Sequence, residues 1–362
     1  MTEKRVVITG LGALTPIGND VPSFWDSLLA GKSGAGPITH FDATKFKTQI
    51  ACELKNFDVT DHLERREARR IDPFCHYALI VADQAVRDAG IDFASDNNRV
   101  DRARSGVIWA TGLGGIQTLE DQIEGYISSG GVPRFSPFYI PRLLGDSSSG
   151  LIAMRYGIHG INFNTTSACA SANAALISAR DSILLDKVDM VIVGGSEASI
   201  TPSIVGGFNS LKALSTRNED PQHASRPFDA ARDGFVIGEG AGALIVEEYG
   251  HARRRSAPIY AELVGGGMSA DAYHATSSHP EGLGAFLSME AALRDARMRA
   301  QEIDYVNAHA TATAAGDISE LLALSRLLGE HLPAVNISST KSMTGHLLGA
   351  AGAIESVACV LA

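Results

Sequence analysis

One pattern occurs twice in this chain. INFNTTSACASANAALISARDSILL, from residue 161, passes from a strand through T-S-A-C-A-S into a helix of small side chains. AVNISSTKSMTGHLLGAAGAIESVACVLA, from residue 334, passes from a strand through T-K-S-M-T-G-H into a second helix of the same kind. The surroundings repeat as well. KRVVITGLG is matched by APIYAELVGGG, and SGVIWATG is matched by DYVNAHATAT. Strand-like runs alternate with amphipathic helical runs throughout, including SFWDSLLAG, IQTLEDQIEGYI, MVIVGGSEAS, GALIVEEY and EGLGAFLSMEAALRDA. Such alternation predicts α/β layers. The repeat divides the chain into halves, 1–255 and 256–362, each built on its own sheet. If the two small-residue helices meet at the centre, their Ala and Gly faces follow, because only small side chains permit so close an approach. The first half runs on past its helix through two more strands, whereas the second stops inside its helix. The expectation is that a pair of C-terminal strands is missing from this chain.

The duplicated turns are where chemistry is expected. Cys169 stands where the first small-residue helix begins, and a helix start collects unpaired N–H groups and the positive end of the dipole, both of which stabilise a thiolate. His309, in VNAHATATAAGD, and His346, in STKSMTGHLLGAAG just inside the second helix, occupy turns of the other half. Two neutral imidazoles donating toward one point would stabilise an oxygen that turns negative. Lys341 precedes His346 by five residues, and an ion pair between Lys341 and Glu320 would hold the geometry, with Asp317 close by.

Other classes are disfavoured. A net charge of −10 argues against general nucleic-acid binding. Cys52, Cys75, Cys169 and Cys359 show no CxxC spacing, so neither a metal site nor a disulfide framework is indicated. No run is apolar enough to span a bilayer, and MTEKRVVITGLG enters a strand with no signal core, so a cytoplasmic, reduced enzyme is expected. S-S-T-K fits S-x-x-K, but no S-D-N or K-T-G follows. GLGALTPIG, GLGGI and GEGAGA lack the full dinucleotide fingerprint and are taken as tight turns and close layer contacts.

TTSACAS, VNAHATAT and STKSMTGHLLGAAGAIE together resemble the β-ketoacyl-[acyl-carrier-protein] synthases, the condensing enzymes of type II fatty-acid synthesis. The likeness extends to VVITGLGALTPIG, SRPFDAARDGFVIGEGAGALIVEEY and IYAELVGGGMSADAYH. It implies the thiolase fold, two duplicated halves in a five-layer α-β-α-β-α sandwich, acting as a homodimer. It implies that Cys169 takes the acyl group as a thioester. His309 and His346 would bind the malonyl thioester carbonyl, with Lys341, Glu320 and Asp317 in support. Thr311 and Thr313 would hold the phosphopantetheine arm, Phe208 would line the pocket beside the cysteine, and Ile116 would border the acyl tunnel. No metal or organic cofactor is implied. The acidic acyl carrier protein would dock on Arg66, Arg69, Arg70 and Lys212.

Three departures from the family pattern carry expectations of their own. Ala310 and Ala314 replace a glycine and a proline, and a positive φ at Ala310 would cost on the order of 1 kcal/mol. The family's C-terminal Gly-rich Phe loop is not found, and LLGDSSSG is polar for its place at the dimer contact. Thiolases and initiating synthases lack the second histidine. A polyketide ketosynthase keeps all three groups, and a chain-length-factor-like partner subunit would bind without reacting.

Overall fold

Strand β1 (Val6–Leu14) is buried along its whole length, as a strand covered on both faces must be. The computed structural model describes residues 4–93 and 100–362. Gly10 and Gly12 explain the TGLG run: a Cβ at either would meet a helix carbonyl, of Ala85 at 2.3 Å or Val81 at 2.1 Å. Helix α1 (Val21–Leu29) starts at Asp20, whose carboxylate accepts from the Ser23 amide at 2.8 Å in a capping box. A short antiparallel pair, β2 (Gly36–Pro37) and β3 (Ile50–Ala51), leads to the single turn α2 (Arg65–Ala68) and the long helix α3 (Pro73–Asp88). The remaining elements of the first half are β4 (Ser105–Ala110), α4 (Ile116–Ser128), α5 (Tyr139–Leu143), α6 (Ser147–Tyr156), β5 (Asn162–Thr165), α7 (Ser171–Leu184), β6 (Met190–Glu197), α8 (Pro202–Ser210), β7 (Gly240–Glu248) and α9 (Tyr249–Arg254).

The main sheet has the order β5-β4-β6-β7-β1-β8, where β8 is Ala261–Glu262. Strand β4 runs parallel to β5 and β6, while β7 and β1 are antiparallel neighbours. Side chains alternate between two cores, as a period of two requires. Trp109, Met190, Ile192 and Ile245 pack under α3 and α6, and Ile108, Val191, Val193 and Leu244 pack under the two small-residue helices. Trp109 satisfies its indole N–H on Ser196 Oγ at 2.9 Å.

Chain 256–362 contributes α10 (Leu283–Ala296), β9 (Tyr305–Asn307), α11 (Ala314–Leu328), β10 (Asn336–Ser338), α12 (Lys341–Thr344) and α13 (Ala351–Leu361). Strands β9 and β10 form a parallel pair. Val306 and Ile337 face Met289 of α10 and Leu324 and Leu328 of α11, while Asn307 reaches the Glu355 carbonyl of α13 at 3.5 Å. The layers therefore run α3 and α6, main sheet, α7 and α13, two-stranded sheet, α10 and α11. At the centre a Cβ on Gly352 of α13 would meet Asn173 Oδ1 of α7 at 2.3 Å, so the small residues are there for contact.

One expectation is corrected. The repeat predicts that APIYAELVGGG opens the second half's own sheet. Only Ala261–Glu262 pairs, and it pairs antiparallel with Val7 and Ile8 of β1. It extends the first sheet, where an edge with unpaired N–H and C=O groups was available.

Candidate active site

The Cys169 turn is held by its own neighbours. Ser171 Oγ accepts from the Ser167 amide at 2.8 Å and donates to the Ala168 carbonyl at 2.7 Å, and Ala168 takes a positive φ of 46°. The N-cap of α7 is Ala170, which places Cys169 one residue outside the helix, next to its N-terminus. His346 is held differently. It lies between α12 and a single turn at Leu348–Ala350, ahead of α13 rather than just inside it, which corrects the expected position. Its amide donates to the Val236 carbonyl at 2.8 Å, and its carbonyl accepts from the Gly238 amide at 2.9 Å. His309 follows β9. Glu320 of α11 accepts from the His309 and Ala310 amides, each at 2.7 Å.

These three turns converge. His346 Nε2 lies 3.0 Å from Cys169 Sγ, and the two imidazole rings meet edge-to-face with centroids 5.3 Å apart. The sulfur and one nitrogen from each ring all lie within 4.8 Å of one another, so this trio also carries the donors that could present three ligand atoms to a metal ion. Phe235 stacks edge-on against His346 at 5.2 Å.

Desolvation dominates the electrostatics. Loss of hydration, then the charge of Lys341, lowers the His309 pKa to about 3. The same two causes, in that order, push His346 well below the ordinary range, with His309 adding to them. His346 is buried, whereas His309 is exposed, even though its surroundings crowd the ring enough for desolvation to lead. Both rings are neutral near pH 7. Burial raises the Cys169 pKa, and Lys341 opposes that. Desolvation leads, the charges of Glu197 and Glu355 add to it, and together they outweigh the pull of Lys341 and of the backbone hydrogen bond.

Lys341 is 1% exposed, and its ammonium pairs with Glu355 of α13. This corrects the expected Lys341–Glu320 pair. The Glu320 carboxylate is taken up by two backbone amides, and burial raises its pKa against their pull. Asp317, 1% exposed, accepts from the Ala312 amide at 3.1 Å and the Phe228 amide at 2.8 Å, with Arg232 at 3.5 Å. Asp317 and Glu320 thus shape the His309 loop through its backbone. Ala310 has no positive φ; the left-handed residue is Ala312, at 69°. The strain expected after the first histidine falls two residues later.

The other candidates spread outward. Thr311 and Thr313 share a hydroxyl hydrogen bond at 3.2 Å, and Thr313 is the N-cap of α11. Phe208 touches Phe235, one ring removed from His346. Ile116 opens α4, half-buried. Arg66, Arg69 and Arg70 are exposed on and just after α2, with Arg70 over the Phe138 ring, and Lys212 is exposed beyond α8. The polar LLGDSSSG run satisfies itself: Ser148 and Ser149 return to the Gly145 and Asp146 carbonyls, and Ser149 also meets Asn162 of β5.

Sequence reasoning missed two acids. Glu355 is the lone charge in the apolar stretch AGAIESVACVL, and Glu197 is the lone charge ending β6. Glu197 accepts from the amides of Gly112 at 2.7 Å and Gly349 at 3.0 Å, where the backbones of the two halves touch. A lone acid in an apolar element was the available signal for both.

Known proteins are similar to this chain in sequence and in fold. A sequence model described as beta-ketoacyl synthase, N-terminal domain, matches residues 3–252, and one described as beta-ketoacyl synthase, C-terminal domain, matches residues 260–362. The 3-oxoacyl-[acyl-carrier-protein] synthase 2 of Synechocystis is 46% identical over 100% of this chain and 86% of its own length. The Staphylococcus aureus protein of the same name is 44% identical over 98% of this chain and 84% of its own. Among solved structures, a beta-ketoacyl synthase from Burkholderia phymatum superposes with a TM-score of 0.89 at 34% identity, covering 99% of this chain and 86% of that one. A type II polyketide ketosynthase, solved in complex with its acyl-carrier protein, superposes with a TM-score of 0.87 at 34% identity, with the same coverage.

Proposed function

Because this chain belongs to the beta-ketoacyl synthase family, and is a condensing acyltransferase of the 3-oxoacyl-[acyl-carrier-protein] synthase kind, we propose that Cys169, His309 and His346 divide its reaction between them. In the first step the Cys169 sulfur attacks the acyl thioester with His346 Nε2–H hydrogen-bonded to it, and the thiol proton is released to the departing carrier sulfur. A new carbon–sulfur bond forms, and the carrier thiol leaves with the proton. In the second step the malonyl thioester carbonyl accepts hydrogen bonds from both imidazoles. The bond to the carboxylate breaks, carbon dioxide leaves, and the two donors hold the enolate oxygen. The enolate carbon attacks the acyl–Cys169 carbonyl, a carbon–carbon bond forms, and sulfur departs as a thiolate that takes one proton from solvent. The fatty acyl chain leaves longer by two carbons.

The observation that carries this reading is the 3.0 Å approach of His346 to Cys169, with a second neutral imidazole beside both. Neutral rings are what the second step needs, since each must donate while a negative charge appears. A thioester arrives already activated, so no metal or organic cofactor is required, and dialysis against a chelator should leave the rate unchanged.

The proposed carrier-protein docking surface is Arg66, Arg69, Arg70 and Lys212, exposed cations on a chain of net charge −10. A homodimer is proposed through the edge strand β5, where Asn162 and Phe163 are exposed, together with the Tyr126–Phe135–Tyr139 stack. Among the described residues no helix is long and apolar enough to cross a membrane, and cytoplasmic residence is the accompanying proposal. The decisive experiment is incubation with labelled acyl carrier protein and peptide mapping, followed by malonyl carrier protein and carbon dioxide measurement. Label on Cys169 with carbon dioxide release supports the reading. Label on Cys52, Cys75 or Cys359, or none at all, refutes it and favours a binding subunit.

A further inference from the structure

One cluster of titratable groups, buried at Glu239, Glu53 and Tyr77 and exposed at His40, has no part in the steps above. Glu239, immediately before β7, is 2% exposed. One carboxylate oxygen accepts from the Leu54 amide at 3.0 Å and meets His40 Nε2 at 2.8 Å, while the other accepts from the Tyr77 hydroxyl at 3.0 Å. On the other side of the His40 ring, Nδ1 lies 3.8 Å from Glu53, itself buried and bound to the Thr39 amide and hydroxyl. His40, Tyr77 and Glu239 line a cleft of about 400 Å³ whose lining also includes Glu120, Asp121 and Glu124 of α4.

Glu239 ends a segment that touches both imidazole loops. At one end the Gly234 amide donates to the Ala312 carbonyl in the His309 loop, at 3.1 Å. In the middle, Val236 and Gly238 grip His346 from both of its backbone polar groups, and the Ile237 carbonyl accepts from the Cys52 amide at 2.8 Å. Little slack exists at this grip. A Cβ on Gly345 would meet Cys52 Sγ at 2.7 Å and the Val236 carbonyl at 2.9 Å. At the far end, the Glu239 amide donates to the Cys52 carbonyl at 3.2 Å, and its side chain is tied to three separate segments.

We propose that Glu239 is a positioning residue for His346, acting through the backbone of residues 236–238 and braced by the His40 and Tyr77 side chains. It touches neither the sulfur nor an imidazole, and the inference rests on the condensing role given to His346 above. The brace is titratable. A protonated His40 makes a charge-assisted bond that a neutral ring does not. That bond to Glu239 raises the His40 pKa; burial opposes it, the charges of Glu239 and Glu53 add to it, and Lys55 subtracts. With the folded value above the unfolded one, the brace is complete below pH about 6.5 and is lost as pH rises through the raised value. Condensation should therefore show an alkaline limb that belongs to His40.

The test compares wild type, Glu239→Gln, Glu239→Asp and His40→Gln by condensation kinetics across pH and by iodoacetamide alkylation of Cys169. Glu239→Gln is expected to lower kcat about tenfold, leave KM for acyl carrier protein within about twofold, and alter the alkylation rate, with Asp restoring most of each. His40→Gln is expected to abolish the alkaline limb and hold kcat at the wild-type high-pH value. A wild-type kcat in Glu239→Gln, a loss that only tracks the folded fraction, or a limb that survives in His40→Gln overturns the proposal. Should Glu239→Gln not fold, the His40→Gln limb decides alone. A wild-type chain that never condenses fails the functional reading; one that condenses with Glu239→Gln unaffected fails this inference only.

Discussion

The two duplicated turns solve the same problem by different means. The Cys169 turn is stitched by Ser171 to residues three and four positions away. The His346 turn is clamped by Val236 and Gly238, more than a hundred residues distant, and the His309 loop hangs on Glu320 and Asp317 of the following helix. The nucleophile is thus placed by its own sequence neighbourhood, His309 by the helix that follows it, and His346 by the packing of one half on the other. A local device suits a group that must swing between thiol and thioester. A long-range clamp suits donors whose aim must not change while charge develops.

Cys169→Ala is the harshest test of this division. It should remove acylation and condensation together, by about 10³-fold or more. His346→Ala and His309→Ala should cut carbon dioxide release by about 10²- to 10³-fold while sparing acylation more than Cys169→Ala does. If acylation and decarboxylation fall together in every variant, the two turns are not separate devices.

The seam between the halves can be broken without touching a reacting group. A Cβ on Gly349 would lie 2.1 Å from the Gly112 amide and 2.8 Å from Glu197, so Gly349→Ala should cost about 3 kcal/mol or more in chemical unfolding. Gly207 of α8 has nothing within 4 Å, and Gly207→Ala should be neutral or stabilise by up to about 1 kcal/mol. Equal costs would mean that the seam is not tightly packed.

A smaller effect is expected at the surface. Reversing Arg69 and Arg70 to Glu should raise KM for acyl carrier protein about tenfold, less so at high salt, and leave a pantetheine substrate unaffected. The smallest effect is in pH. His309 is pushed down to about 3 and His346 well below its ordinary value, so the unfolded chain binds more protons than the folded one below about pH 6.5. Stability should fall on acidification through that range, and the slope should flatten in His309→Ala, as thermal unfolding across pH would show.

How far the sequence could be read follows the same division. The repeat, the order of strands and helices, and the convergence of Cys169, His309 and His346 were all legible, because periodicity, turn residues and small-residue faces act over a few positions. What the pattern mislaid were partners. Lys341 was assigned to Glu320 on proximity to the histidines, yet Glu320 is consumed by two amides and Glu355 is the nearer acid in space. The strained alanine is Ala312, not Ala310, because the backbone turns where Asp317 grips it.

The amino-acid order alone determined that this molecule has two related halves and which three side chains face one another, since both facts are carried by motifs short enough to be written in consecutive residues. The tertiary structure alone decided which carboxylate answers Lys341, that β8 joins the first sheet, and that burial raises the Cys169 pKa. Those outcomes depend on desolvation and on distances between groups remote along the chain, and neither quantity exists until the layers have closed.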